Sequence, residues 1–383
     1  MDSRWNRALR MLVCLALACT AAPSPQRTVA EAPPAAGPPA QSELAASPAA
    51  PASGRLATVP LDPPQTVRLV SVGLIAQTSS YLALERGYFR ELGLEVQLVP
   101  LTGTSDVIAL LGTDQLDVGI GQISPGFFNA VARGIGIRMV ADHGTSYPGP
   151  GAAHIAVRAD LLEARPWAGF QDLRGLRIAL QEVNAQAEYF LERALALGGL
   201  QRSDVEIIAP MSYPDMAVAF ANKAIDAAVY QEPWGTISER QGVIKKVAYL
   251  GDIEPGGHIA GLLFSEAFAR NTHAARNYLV AYLRGVRDWW DAADGRADYQ
   301  PVIAVQQKYT TLKDEELLRL IPPGRQNPAG YLDPAKLAAY QDWFAERGLI
   351  PQKVAIERAY DPSFAEYANA VLGPYQPAGD IRP

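Results

Sequence analysis

Apolar and polar positions between residues 66 and 126 follow two spacings in turn. The apolar runs typical of buried strands are 66–76, 94–101 and 116–122. The stretches between them, 81–89 and 104–115, place apolar residues three and four positions apart, as one face of a helix requires. Strands that alternate with helices predict right-handed βαβ units around a parallel sheet, and therefore an α/β protein.

The same order of elements recurs in the segment 176–235. Four residues, Asp106, Asp117, Gln122 and Gly126, correspond to Asp215, Asp226, Gln231 and Gly235, with 109 positions between the members of each pair. Tyr81 and Tyr189 stand 108 positions apart. A constant spacing through a helix, a strand and a loop is difficult to obtain by chance. We therefore expect two lobes that are built on one plan.

Two further segments have a shared pattern and predict how the lobes are connected. Residues 143–163 and 252–268 both contain a Gly/Pro-rich turn, then His-Ile-Ala, then an apolar strand. Two such crossings would carry the chain to the second lobe and back, and helical patterns follow from Asn271 onward. The expected domains are lobe 1 at 66–150, lobe 2 at 151–257, and a return strand to lobe 1 with C-terminal helices at 258–383.

The N-terminus predicts export. Residues 1–19 place three arginines before a short apolar run that stops at Cys19, which is the layout of a bacterial lipoprotein signal peptide. Cys19 would then carry the lipid that anchors the protein to the outer face of the cell membrane or in the periplasm. Alternatively, the segment is a plain cleaved signal and Cys19 is discarded. Residues 20–65, rich in Ala and Pro, are expected to be a disordered linker, either a spacer from the membrane or a leader with no spacer role.

Composition narrows the possible chemistry. The 383 residues are 49% hydrophobic and 19% charged with a net charge of −6, and no Lys/Arg stripe is present, which argues against nucleic-acid binding. The only two cysteines, Cys14 and Cys19, lie in the leader, so we expect no disulfide and no cysteine metal site in the folded part. Common enzyme motifs are missing as well, and no cofactor or metal is expected.

Candidate ligand contacts follow the predicted strands, because α/β sheets bind ligands outside the carboxyl ends of their strands. Most of these side chains are neutral hydrogen-bonding groups, and several precede a helix. The predicted ligand-binding residues are Gln77, Thr78, Ser79, Ser80, Thr104, Ser105, Gln122, Ser124, Asn184, Gln186, Tyr213, Glu232, Trp234 and His258. For any one Ser, Thr or Asn among them, a helix N-cap is the simpler explanation.

The strand tip at 231–234 offers alternatives. Glu232 is expected either to contact the solute or to cap backbone N–H groups, with Trp234 packed at the rim of a cleft. A catalytic acid at Glu232 is the less favoured alternative. Of the histidines, His154 and His258 are expected to make hinge or ligand hydrogen bonds.

These motifs together resemble the bacterial ABC-transporter solute-binding family that includes receptors for nitrate, aliphatic sulfonates, taurine and the thiamine pyrimidine precursor. The resemblance covers residues 66–300 and is carried by "LALERGYFRELGLEVQLVPL", "LDVGIGQISP" and "AFANKAIDAAVYQEPW". It implies a two-lobe periplasmic-binding-protein fold of type II with parallel-core sheets, two hinge crossings and C-terminal helices. It also implies a monomeric receptor that passes a small solute to an ABC permease.

Three functions remain open. The favoured one is a receptor for a small polar or anionic solute that is sulfonate-, nitrate- or carboxylate-like; a pyrimidine-precursor receptor is less favoured, because its acidic and aromatic set is missing. The second is an enzyme on the same scaffold that uses Glu232 or a hinge histidine as acid or base. The third is a sensory or scaffold protein that keeps the lobes without transport.

Overall fold

The computed structural model describes residues 56–101 and 106–377. The predictions for Cys19, the signal peptide, most of the linker, Thr104 and Ser105 fall outside these residues. All of the described residues belong to one unit of the chain, Ser42–Pro383.

In the described residues, ten strands form two five-stranded sheets. The strands are β1 (Gln65–Ser71), β2 (Leu94–Pro100), β3 (Val118–Gln122), β4 (Ile137–Ser146), β5 (Ala153–Arg158), β6 (Arg177–Ala179), β7 (Glu206–Ile208), β8 (Ala227–Gln231), β9 (Ile244–Tyr249) and β10 (Gly257–Ser265). The first sheet has the order β2-β1-β3-β10-β4, and the second has the order β7-β6-β8-β5-β9.

Each sheet combines a parallel core with one antiparallel inner strand. β1 is parallel to β2 and β3, and β6 is parallel to β7 and β8. β10 and β5 run antiparallel to both of their neighbours, because each enters its sheet after the chain has crossed from the other lobe. The α/β fold and the two crossings predicted from the sequence are therefore confirmed, whereas the sheets are mixed and not wholly parallel.

The pairing registers match between the two sheets. Leu69 lies opposite Leu98 and Val118 in lobe 1, and Ile178 lies opposite Ile207 and Ala227 in lobe 2, each residue 109 positions later. An irregularity in the inner strand also recurs. It falls between Leu262 and Leu263 against β4, and between Ile155 and Ala156 against β9. The repeat seen in the sequence is therefore a repeat of backbone geometry.

In the same part of the chain, the α-helices are α1 (Thr78–Glu85), α2 (Tyr88–Glu91), α3 (Val107–Gly112), α4 (Pro125–Ala132), α5 (Ala159–Ala164), α6 (Gln186–Leu197), α7 (Tyr213–Ala221), α8 (Trp234–Arg240), α9 (Leu250–Ile253), α10 (Glu266–Arg270), α11 (Thr272–Ala293), α12 (Gln300–Tyr309), α13 (Glu315–Leu320), α14 (Pro334–Glu346), α15 (Ile356–Ala359) and α16 (Ser363–Leu372).

The long helix α11 packs against α1 and α16 and buries its apolar side in lobe 1. Gly285 permits the close approach to α1, since a Cβ there would lie 2.3 Å from the Ser79 carbonyl oxygen. Trp289 and Trp290 are buried, and their indole N–H groups donate to backbone carbonyls at 2.7 Å. The two tryptophans are therefore core residues.

One hydrophobic core continues through both lobes. The two crossings contribute Tyr147 and Leu250, which connect the packing of the first sheet with that of the second. From the C-terminal part, α14 contacts α4 of lobe 1 and α6 of lobe 2, and α13 contacts α8. The C-terminal helices therefore cover lobe 1 and also contact lobe 2.

Candidate functional site

The two lobes carry the same arginine–aspartate pair beneath their first strands. Asp117 accepts hydrogen bonds from the backbone N–H of Arg68 at 2.7 Å and from its guanidinium at 2.7 and 3.0 Å. Asp226 accepts the matching bonds from Arg177 at 3.0, 2.8 and 2.9 Å. Because both pairs obey the spacing of 109, residues can be compared between lobes position by position.

This comparison places Gln122 and Gln231 at equivalent strand ends, and both side chains line one pocket between the lobes. We call it the interlobe pocket; its lining residues in the described chain are Gln122, Gln181, Glu182, Ala185, Gln186, Ala187, Phe190, Tyr213, Val229, Gln231 and Leu250. It opens to solvent. Clefts at domain interfaces that are lined by apolar side chains and a few polar groups are common sites for small solutes.

Lobe 2 supplies most of the residues that line the interlobe pocket, and two helices begin there. Gln186 begins α6, and its side-chain amide donates to the backbone carbonyl of His258. Tyr213 begins α7, and burial raises the pKa of its phenol above the ordinary value. The phenol therefore stays protonated at neutral pH and can both donate and accept a hydrogen bond.

The four predicted contacts at the start of α1 are buried and do not line the interlobe pocket. The Gln77 amide donates to Val70 at 2.9 Å and accepts from the N–H of Val72 at 2.8 Å. Thr78 donates to a carbonyl at 2.6 Å and accepts from Gln306 at 3.1 Å. The remaining two, Ser79 and Ser80, are fully buried.

Three other predicted contacts have local structural roles. Ser124 is the N-cap of α4, since its hydroxyl accepts from the Phe127 N–H at 3.4 Å. Asn184 has a left-handed backbone with φ +59°, and its N–H donates to Glu188 at 2.7 Å. Trp234 is half-buried against a second apolar cluster of lobe 2.

Glu232 lies under the strand tip instead of in the pocket. Its side chain is 0% exposed, and one carboxylate oxygen contacts the Lys246 ammonium at 2.6 Å. The other oxygen accepts from the backbone N–H of Thr236 at 3.0 Å. The sequence left two roles open for Glu232, contact with the solute or capping of backbone N–H groups. In the structure Glu232 caps a backbone N–H group.

His154 completes a buried polar trio with Glu232 and Lys246. Its Nδ1 lies 3.9 Å from Glu232, and neither ring nitrogen has a hydrogen-bond partner among the described residues. Burial, assisted by the nearby Lys246 charge, lowers the pKa of His154 to about 3. The ring is therefore neutral at physiological pH. Lys246 was not among the residues predicted from the sequence. It lies on β9 of the second sheet.

The other hinge histidine, His258, is held by the C-terminal part of the chain. Its Nε2 accepts from the backbone N–H of Asp333 at 2.7 Å, so the ring proton is on Nδ1. That nitrogen lies 3.2 Å from the Thr145 hydroxyl and 3.5 Å from Asp142. His258 thus links β10 to the start of α14, and its lone pair is already occupied.

His143 is buried in β4. Its Nδ1 lies 3.0 Å from the Tyr282 hydroxyl, and burial lowers the pKa of His143 to about 4. Within residues 56–101 and 106–377, no group of three or more His, Cys, Asp or Glu side chains could hold a metal ion. None of the helices described there is both long and apolar enough to cross a bilayer.

Most pocket residues are not among the predicted ligand contacts, for example Glu182, Phe190 and Gln231. The spacing of 109 from Gln122 was a signal that could have added Gln231. For Glu182 no comparable signal existed, because lobe 1 has Gly73 at the position 109 residues earlier.

A family model described as NMT1/THI5 like matches residues 76–292, which is more than half of the chain. Among curated proteins, no match was found. Solved structures, in contrast, are similar over most of the chain.

The periplasmic aliphatic sulphonate binding protein SsuA from Escherichia coli is 22% identical, with a TM-score of 0.62 over 77% of this chain and 97% of that one. The periplasmic nitrate-binding protein NrtA from Synechocystis PCC 6803 is 13% identical, with a TM-score of 0.56 over 80% and 89%. The desulfurization enzyme DSZB is 18% identical, with a TM-score of 0.56 over 79% and 98%. At these identities the likeness establishes the fold, which is that of two-lobe periplasmic binding proteins.

Proposed function

Because the chain belongs to the NMT1/THI5-like family, we propose that it is an extracytoplasmic receptor that captures a small solute and delivers it to an ABC permease. The solute is polar or anionic, of the sulfonate-, nitrate- or carboxylate-like classes. The observation that carries the proposal is the meeting of Gln122 and Gln231, equivalent residues of the two lobes, in the interlobe pocket. A pocket with walls from two lobes can close around its solute.

The two crossings between the lobes support the same function. Two crossings, after β4 and after β9, join the lobes, and two-lobe proteins of this kind close on ligands by hinge motion. The solved structures that share the fold include a sulphonate-binding and a nitrate-binding protein. The receptor works as a monomer in this proposal, since the pocket is formed by one chain.

The test is thermal unfolding in the presence of a panel of sulfonates, nitrate, carboxylates and pyrimidines. A true ligand raises the melting temperature, and the stabilisation grows with ligand excess, reaching about 2.7 kcal/mol at a hundredfold excess over the dissociation constant. A pyrimidine as the only stabilising class would select the pyrimidine-precursor receptor. Stabilisation by no member, together with turnover of any member, would reject the receptor.

Catalysis is the second candidate, and it is raised by the fold shared with DSZB. Three observations support a receptor instead. Glu232 is paired with Lys246, and the Nε2 lone pair of His258 accepts a backbone N–H. His154 is fully buried and does not line the interlobe pocket. Glu232→Gln should abolish turnover in an enzyme, whereas in a receptor it would change only stability or affinity.

Export and anchoring through Cys19 complete the proposal, based on the signal layout of residues 1–19. Cell fractionation of the full chain tests this step. Wild-type protein should sediment with membranes, and Cys19→Ala should be found in the soluble exported fraction. Equal distribution of both would indicate a plain cleaved signal.

A further inference from the structure

The interlobe pocket contains one formal charge among its described lining residues, the carboxylate of Glu182. Glu182 is exposed on the loop between β6 and α6. Neither an ion pair nor a hydrogen bond joins its side chain to another described residue. In lobe 1 the equivalent position is Gly73, so this charge belongs to lobe 2 only.

Other carboxylates on or beside α6 each have an arginine. Glu188 contacts Arg202 at 2.7 Å, and Glu254 contacts Arg193 at 2.8 Å. The third, Glu192, is paired with an arginine from the end of α14. The unpaired state of Glu182 is therefore unusual in this part of lobe 2.

The described part of the chain places no cation in the pocket lining. No Lys, Arg or His is among the described lining residues. Lys246 is 5% exposed and is held in the core by Glu232. A carboxylate that loses water when the cleft closes requires a positive or hydrogen-bonding partner. No described lining residue supplies a positive partner, and an ammonium group of the solute can do so.

We propose that the interlobe pocket binds a solute with a protonated amine, and that Glu182 receives this ammonium group. The inference rests on the proposed receptor function and narrows its polar solutes to those that bear an amine. An ammonium has three donors, so the amide oxygens of Gln181 and Gln231 can accept those that Glu182 leaves free. Phe190 and Leu250 provide apolar surface for the hydrocarbon part of the solute.

Isothermal titration calorimetry of the purified chain with four probes of equal carbon number tests the inference. The probes are butylamine, butanol, butanesulfonate and aminobutanesulfonate. Only the two amines should bind, and Glu182→Gln should weaken them by about tenfold to a hundredfold, the usual loss for a charge-assisted hydrogen bond. The matched control is Glu163→Gln, an exposed glutamate on α5, which should leave the affinity unchanged.

Two results would overturn the inference, and they differ in what they leave standing. Binding confined to compounds without an amine, or amine binding that is indifferent to Glu182→Gln, rejects the amine site but keeps the receptor. A lack of binding by these probes and by every member of the sulfonate, nitrate, carboxylate and pyrimidine panel rejects both.

Discussion

The strand tips of the two lobes share a backbone but differ in what lies beneath them. In lobe 1 the equivalent positions hold Ile123, Met139 and Gly261, all of which are buried. In lobe 2 the same positions hold Glu232, Lys246 and His154. Three positions that hold apolar residues or glycine in lobe 1 therefore hold polar residues in lobe 2, although the strands pair in the same register in both lobes.

Each trio is packed around a glycine at a different place. Gly261 leaves room for Met139, whose sulfur would lie 2.9 Å from a Cβ on that glycine. In lobe 2, Gly235 makes room for the His154 ring, which would lie 2.2 Å from an added Cβ. A conspicuous Glu-Pro-Trp motif can therefore reflect core packing, because the carboxylate needs Lys246 in order to be buried.

The largest expected effect comes from Lys246→Met, which installs the lobe 1 residue alone. The Glu232 carboxylate would then be buried without its cation, and we expect the free energy of unfolding to fall by about 3–5 kcal/mol. Urea unfolding measures this change. Lys245→Met, an exposed lysine on the same strand, is the control and should cost far less. Equal losses in the two variants would show that the pair does not matter.

Gly235→Ala should have the next largest effect. The added methyl group would overlap the His154 ring, and overpacking of this kind costs about 1–3 kcal/mol. The equivalent change in lobe 1, Gly126→Ala, meets its nearest atom only at 3.6 Å and should be neutral or stabilising. Thermal unfolding of the two variants, side by side, checks the contrast. A destabilised Gly126→Ala with an unaffected Gly235→Ala would contradict the assigned packing.

The double variant Glu232→Ile and Lys246→Met introduces two of the three lobe 1 residues at the equivalent positions of lobe 2. Replacing a buried ion pair by apolar residues of similar volume is often neutral, so we expect a net loss below about 2 kcal/mol. The double variant should then be more stable than Lys246→Met. Urea unfolding in a double-mutant cycle gives the coupling energy directly. Additive losses would mean that the two side chains act independently.

The smallest effect concerns the repeated arginine–aspartate pairs and appears only on acidification. Hydrogen bonds from Arg177 lower the pKa of Asp226 below its ordinary value. Its stabilising contribution is therefore complete above the ordinary carboxyl pKa near 4 and is lost as pH falls through the lower folded pKa. The unfolding free energy of Asp226→Asn should depend less on pH between about 5 and 2 than that of the wild type, by about 1 kcal/mol. The same pH dependence of the unfolding free energy in Asp226→Asn and in the wild type would contradict this prediction.

Local patterns predicted most of the fold. The α/β class follows from strand and helix periods, which depend on residues close together in sequence. The two crossings and the repeat follow from matching segments far apart in the chain. The family resemblance is also confirmed by the match over residues 76–292. The antiparallel insertion of β5 and β10 did not follow, because strand direction depends on where the chain re-enters each sheet.

The site was less accessible to sequence reasoning. Gln77 and Gln186 are equivalent at the spacing of 109, yet the first is buried under lobe 1 and the second lines the interlobe pocket. Their environments differ because Gln306 of α12 covers the start of α1, whereas Gln186 donates to the His258 carbonyl and still lines the pocket. No sequence pattern near residue 77 indicates that α12 packs over it.

The sequence by itself therefore determined the repeated lobe, the paired glutamines at its strand ends and the leader that predicts export. Only the tertiary structure decided which polar side chains face the cleft. Glu232 is buried and Glu182 is exposed because Glu232 is paired with Lys246 of β9, whereas Glu182 lies on a solvent-exposed loop. Contacts between residues distant in sequence set these environments, and the environment decides which charge remains available to a solute.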